Sequence, residues 1–238
     1  MKKAIGIVVI LSLTSVFTVC AQEKILKPAG IFPVPDISAQ EYQKLYEQID
    51  NTLNTEDGIK LEREMDNNPI FKQFYSPACS WYCGGVIDTV WASSSLAPSG
   101  AISYNAGNLH DFNHYTAWAE GIDGDGIGEY IIYEFPGNCP RITTVNILNG
   151  YVKNAQLWKA NSRVKKLRVY YNNSPLAILQ LEDSRSLQWF NIGLAGYGPN
   201  GKESDKWTLK FEILEIYPGD KYHDTVISDI YFDGIDVH

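Results

Sequence analysis

Residues 104–120 read Y-N-A-G-N-L-H-D-F-N-H-Y-T-A-W-A-E, and the rest of the chain is organised around them. One short loop holds an amide (Asn108), a carboxylate (Asp111), a second amide (Asn113) and a hydroxyl (Thr116), and Trp118 follows as an apolar anchor. The segment has no helical periodicity. Clustered hard oxygens on a turning backbone suit calcium, which takes about 6–8 oxygen ligands and accepts carbonyls among them. The same residues also make ordinary turns, because Asn and Asp side chains hydrogen-bond their own backbone two residues on. On chemistry alone both readings stand.

Outward from this loop the texture is that of a β protein. From Val86 the chain breaks into short apolar runs separated by Gly, Asn, Pro and Asp, which predicts strands over 86–92, 129–135, 141–148, 164–171, 176–182, 187–192, 206–217 and 226–233. Val164, Leu167, Val169 and Tyr171 share much of one face of their run, and Trp207, Leu209, Phe211 and Ile213 face one way in theirs. The period slips near Leu214, which predicts a bulge or bend. About eight antiparallel strands without intervening helices imply an all-β sandwich or jelly roll.

Upstream the pattern differs. A proline-rich leader over 27–35 reads as extended. Ser38 and Glu41 make a capping box. Tyr42, Leu45, Tyr46, Ile49 and Leu53 then recur at helical spacing, so 38–53 reads as an amphipathic helix. A second short helix is expected over 59–65. The organisation is therefore a signal segment (1–21), a leader with short helices (22–75) and a sandwich domain (76–238).

The signal rests on Lys2-Lys3 followed by an apolar run from Ala4 to Val19, too short for a comfortable membrane span. Cleavage after Ala21 would start the mature chain at Gln22, while acylation of Cys20 would make it a lipoprotein. The residue before that cysteine, Val19, is larger than a lipobox prefers. Apart from a lipid anchor at Cys20, no membrane insertion is expected. Losing Lys2 and Lys3 takes the formal charge from −8 to −10, which argues against nucleic acid and anionic membranes. Export makes a disulfide chemically reasonable, and the pair C-S-W-Y-C points to Cys79–Cys83, with pairing of either one to Cys139 as the alternative.

The spacing Ala106, Asn108, Asp111, Thr116, Trp118 resembles the A-x-N-x-x-D-G-x-x-x-T-x-W signature of discoidin-type, galactose-binding-like jelly rolls, with Phe112 where the signature has glycine. A-S-S-S-L at 92–96, T-A-W-A-E-G at 116–121, G-D-G-I-G-E at 124–129 and N-G-Y-V-K at 149–153 extend the likeness. So do N-S-R-V-K at 161–165, Y-P-G-D-K-Y-H-D-T at 217–225 and I-S-D-I-Y-F at 227–232. Together, over roughly 80–238, they resemble the glycan-binding or translocation domain that accompanies secreted streptococcal NAD glycohydrolase. The resemblance implies a galactose-binding-like jelly roll. It also implies a structural calcium in the loop, with Asp111, Asn113 and Thr116 completed by Asp229 near the C-terminus. NAD hydrolysis does not carry over, since 22–75 is too short for the catalytic domain.

Catalytic signals are sparse. D-G-D-G-I-G-E at 123–129 lacks the ligand order of an EF-hand, and its glycines read as a turn into the next strand. Glu120 and Glu129 are the best carboxylates for a glycosidase pair, which needs about 5–9.5 Å between groups. No nucleophile elbow, phosphate loop or dinucleotide fingerprint is present. Sugar binding needs aromatic faces beside planar polar groups. Asn149, Tyr151, Lys153, Trp158, Asn161 and Arg163 supply both within one connection, and Tyr197 joins them if the loops share an end. The expected function is non-catalytic binding of a glycan at the surface or in the periplasm. The alternatives are a structural or protein-interaction sandwich without a sugar site, and a glycan hydrolase.

Overall fold

The computed structural model describes residues 23–35, 55–66 and 81–237, together with Lys44, Glu47, Gln48, Asn51 and Thr52. Those five are helical, and the rest of the expected 38–53 helix lies outside the described residues, as do the signal segment, Cys20 and Cys79. Helix α1 (Glu56–Asp66) covers the expected second helix and starts earlier. Thr55 Oγ1 caps it by accepting from Gly58 N at 3.1 Å. Glu56 and Asp57 in the first turn and Arg63 in the last complement its dipole.

All eight expected strands form. They are β3 (Thr89–Ala92), β5 (Tyr130–Phe135), β6 (Ile142–Asn149), β7 (Ser162–Tyr171), β8 (Ser174–Gln180), β9 (Ser186–Ala195), β10 (Trp207–Tyr217) and β11 (Thr225–Gly234). Three short ones add to them: β1 (Ile25–Leu26), β2 (Gly30–Pro33) and β4 (Trp118–Ala119). One layer runs β3-β5-β10-β7-β8 with β1 outside β8, and the other runs β2-β9-β6-β11 with β4. A two-residue parallel contact of β7 with β11 joins them, so the expected all-antiparallel pairing has two parallel exceptions, this one and β1 with β8. Register shifts between Ile213 and Ile216 put the expected bulge in β10.

The fold is an all-β discoidin-like sandwich, and alternation explains it. Ile131, Tyr133 and Phe135 of β5, and Trp207, Leu209, Phe211 and Ile213 of β10, are all buried on the inner face. They meet the other layer at Phe232, whose ring lies 4.9 Å from Tyr133 and 5.3 Å from Phe135. Burying rings of this size contributes about 1.5–3 kcal/mol each before entropy is counted.

The leader is extended and paired. Ile25–Leu26 add to β8 and Gly30–Pro33 add to β9, so one strap touches the edges of both layers. Proline is tolerated there because edge strands leave one row of N–H groups without ladder duty. Helix α2 (Ala155–Ala160), between β6 and β7, corrects the expectation of a helix-free sandwich. Strand directions set two loop ends. Residues 120–129, 150–161, 181–185 and 218–224 gather at one, and 136–141 and 196–206 at the other. Cys83 and Cys139 are separate thiols, the former exposed and the latter buried with Sγ 3.4 Å from the Val86 carbonyl.

Candidate functional site

The 104–120 loop is built by its own amides. Asn105 caps a 3-10 turn over Ala106–His110 by accepting from Gly107 N at 2.8 Å, and buried Leu109 anchors that turn. Asn108 braces the two arms by donating to the Ser103 carbonyl (2.7 Å) and the Ala117 carbonyl (2.8 Å). Asp111 Oδ1 accepts from Asn113 N at 2.9 Å, and Asn113 Oδ1 accepts from Tyr115 N at 3.1 Å. The Thr116 hydroxyl lies 2.7 Å from both Asp111 Oδ2 and the Asn113 carbonyl. Asp111, Asn113 and Thr116 therefore surround one turn.

Phe112 takes the glycine position without changing the turn, because it adopts the left-handed φ of +58° that glycine would. That conformation costs a non-glycine residue about 1–2 kcal/mol. Offsetting contacts are present: the ring stacks on Tyr231 at 5.4 Å and meets Tyr82 edge-on at 5.2 Å. Tyr82 packs against this loop. Its hydroxyl accepts from Phe232 N at 2.9 Å and its ring lies 5.3 Å from His110. His110 sits with Nδ1 3.0 Å from the Ile230 carbonyl, so Nδ1 carries the proton. Burial pulls its pKa down to about 4 against the opposing pull of that carbonyl.

Asp229 reaches the loop from β11. It is fully buried, and neither carboxylate oxygen has a well-aligned hydrogen-bond donor. Burial pushes its pKa well above the carboxylate range; the Tyr231 hydroxyl opposes this and the Asp111 charge adds to it. Asp111 is itself raised by burial, against the hydrogen bonds from Thr116 and Asn113. Two neighbouring carboxylates, one of them buried with no well-aligned donor, demand a proton or a cation. The donor set is all hard oxygen, so the residues fit calcium. Among the described residues no group of three or more His, Cys, Asp or Glu is arranged to hold a metal. An ion here would therefore draw on hydroxyl and carbonyl oxygens beside the two carboxylates.

The six residues expected to face a sugar are gathered at one loop end, mostly turned inward. Asn149 is 1% exposed and bonds both ways to Val164, donating to its carbonyl (2.7 Å) and accepting from its N–H (3.0 Å). Buried Tyr151 places its hydroxyl 3.4 Å from the Tyr115 carbonyl, linking this cluster to the 104–120 loop. Asn161 closes α2 by donating to the Leu157 carbonyl at 2.8 Å. Arg163 pairs with Asp183 at 2.8 Å, donates to the carbonyls of Trp158 and Asn161, and lies 4.4 Å over the Trp158 ring. Trp158, half-buried, donates to the Asn149 carbonyl at 2.9 Å. Lys153 is exposed. Tyr197 does not join them: it lies in the β9–β10 connection at the opposite end, its hydroxyl 3.4 Å from Asn172 Nδ2.

The two glutamates considered for catalysis are engaged in the fold. Glu120 is fully buried and accepts from Ile122 N (2.9 Å) and Thr225 N (3.1 Å), which pins the 120–129 loop to β11. Glu129 accepts from the Ser93 hydroxyl at 2.6 Å. The glycines 124, 126 and 128 all take positive φ, as a turn requires, and Asp125 pairs with His223 at 3.0 Å. An open pocket of about 750 Å³ lies at the opposite end, lined among others by Asp88, Asn138, Glu203 and Lys206. Lys206 there bridges Asp88 and Glu134 at 3.1 and 2.6 Å.

This chain belongs to the family described as the NAD glycohydrolase translocation F5/8 type C domain, which matches residues 81–233. No curated protein matches it. Solved structures with similar folds include a GH29 fucosidase from Ruminococcus gnavus in complex with fucose, at 14% identity and a TM-score of 0.42, covering 75% of this chain and 31% of the other. Another is CBM32-3 from a family 31 glycoside hydrolase of Clostridium perfringens, at 14% identity and a TM-score of 0.41, covering 63% of this chain and 91% of that one. The chain spans 31% of the length of each of the first two such structures, the second a glycoside hydrolase.

Proposed function

We propose that this chain is a non-catalytic carbohydrate-binding module of an exported bacterial protein, its partner a glycan on a surface or in the periplasm. The observation that carries the reading is the Trp158–Arg163 unit. The indole is held by its own N–H and backed by a guanidinium at 4.4 Å, which pairs in turn with exposed Asp183. A rigid, half-buried aromatic backed on one face is the kind of surface a sugar ring stacks on. Membership of an F5/8 type C family agrees with a binding role. Engagement of Glu120 by two backbone N–H groups speaks against an acid–base pair. No helix among the described residues is long and apolar enough to cross a membrane. A lipid anchor at Cys20 belongs to the same proposal.

A calcium ion belongs to the same proposal, held by Asp111 and Asp229 with oxygens of Thr116 and Asn113. Bound there, it would neutralise two carboxylates and tie the loop to β11. The test of the function is a glycan array followed by calorimetry on the mature chain. Sugar-dependent heat is expected, weakened about tenfold in Trp158→Ala. A second reading, a protein-interaction sandwich without a sugar site, is favoured by the burial of Asn149, Tyr151 and Arg163. A folded chain that binds nothing on the array would establish it.

A further inference from the structure

We infer that the outward face of the β3-β5-β10-β7 layer is a second carbohydrate-contacting surface, one that takes an extended, uncharged polysaccharide chain. Register places Trp91 opposite Ile132, Ile132 opposite Lys210, and Lys210 opposite Tyr170, so these four form one row across four strands. Tyr130, Glu212 and Arg168 form the parallel row beside it. Their strand neighbours point into the core, which leaves this set facing solvent. Three strand spacings separate Trp91 from Tyr170, or about 14 Å.

The rings are held in place before any ligand arrives. Lys210 Nζ lies 4.4 Å from the Tyr130 ring centroid and 4.6 Å from that of Tyr170, and Trp91 meets Tyr130 at 5.8 Å. Tyr170 Oη donates to Glu212 Oε2 at 2.5 Å, and Arg168 pairs with Glu23 of the leader at 2.9 Å. Lysine and arginine are thus matched by two glutamates, and the face is locally neutral on a chain of net charge −8. A neutral face selects neither polyanion nor polycation. Aromatic rings alternating with paired donors and acceptors suit hydroxylated rings, which stack on the former and exchange hydrogen bonds with the latter. Trp91 is 44% exposed on edge strand β3, so a chain can run past it without meeting another strand. Ordering these side chains in advance lowers the entropic cost of binding.

The inference rests on the carbohydrate reading above, and the experiment separates the two. The full mature chain is run through native gels containing a linear neutral polysaccharide, with hydroxyethyl cellulose and xylan as the probes. Retardation is expected, with Trp91→Ala and Tyr170→Phe each shifting the apparent Kd, the former by about tenfold and the latter less. Iodide quenching adds a readout that needs no variant, because Trp91 is the most exposed indole, Trp158 and Trp189 being partly buried. Polysaccharide should protect the quenchable fraction. Retardation that survives Trp91→Ala but vanishes in Trp158→Ala overturns this surface and leaves the carbohydrate reading standing. Absence of binding by the wild type to any glycan overturns both. A dimer in sedimentation that Trp91→Ala dissolves would assign the face to self-association and overturn the inference.

Discussion

The 104–120 loop and the 149–163 cluster lie side by side, joined by Tyr151, and treat their polar groups in opposite ways. Around Arg163 and Asn149 every donor and acceptor named is matched within the fold. At Asp229 a carboxylate is buried with no aligned donor and with a second carboxylate beside it. Buried polar groups are nearly always satisfied, so the exception marks where something else belongs. A satisfied cluster builds scaffold, and an unsatisfied carboxylate calls for a proton or, on the proposal above, a cation.

Removing a satisfied clamp should be the most damaging change. Asn149→Ala strands the N–H and carbonyl of Val164 in a buried site, and a loss of about 3 kcal/mol is expected in urea unfolding. If the loss were negligible, the cluster would not be scaffold. Comparable residue for residue is a pH effect on the loop side. His110 and His114 are both lowered to about 4, each chiefly by burial, with the Arg185 charge adding at His114. Between pH 6.5 and about 4 these two histidines bind more protons in the unfolded chain than in the folded one. The histidine contribution should be full above pH 6.5 and be lost as pH drops through that window, by up to about 3 kcal/mol per histidine, with the raised carboxyls Asp111 and Asp229 acting in the opposite direction. Denaturation in chelator at pH 7 and pH 4.5 measures it, and His114→Gln should flatten the slope.

The smallest effect is expected at Phe112. Glycine there relieves the left-handed strain and removes the stack on Tyr231, two terms of similar size and opposite sign. The net change in melting should stay within about 1 kcal/mol. A large loss would make the ring, rather than the turn, the reason for the residue.

Much of the fold was legible in the sequence because period-2 alternation is local. Each of the eight expected strands is written in its own few residues, down to the slip in β10 near Leu214. Less legible was anything set by distant partners. The strands Ile25–Leu26 and Gly30–Pro33 carry too little pattern and too much proline to declare themselves. Six residues of α2 are too few for a 3.6-residue period to show. The Asn108–Thr116 spacing pointed to the loop, and Asp229 does come within electrostatic reach of Asp111. Nothing local could say that Asn149 faces inward to Val164, or that Tyr82 closes the loop from far upstream. Trp91, Lys210 and Tyr170 lie on three separate strands and meet only through register.

The most direct test of the contrast is calcium on the metal-free chain, followed by thermal melting and calorimetry of the wild type and Asp229→Asn. Wild type should bind about one ion and gain about 2.7 kcal/mol at a hundredfold excess over Kd. The variant should lose that gain and melt no lower than wild type in chelator, since it no longer buries a charge. A wild type that neither binds nor gains stability, in protein shown to be metal-free, would contradict the assignment of Asp111 and Asp229 to a cation.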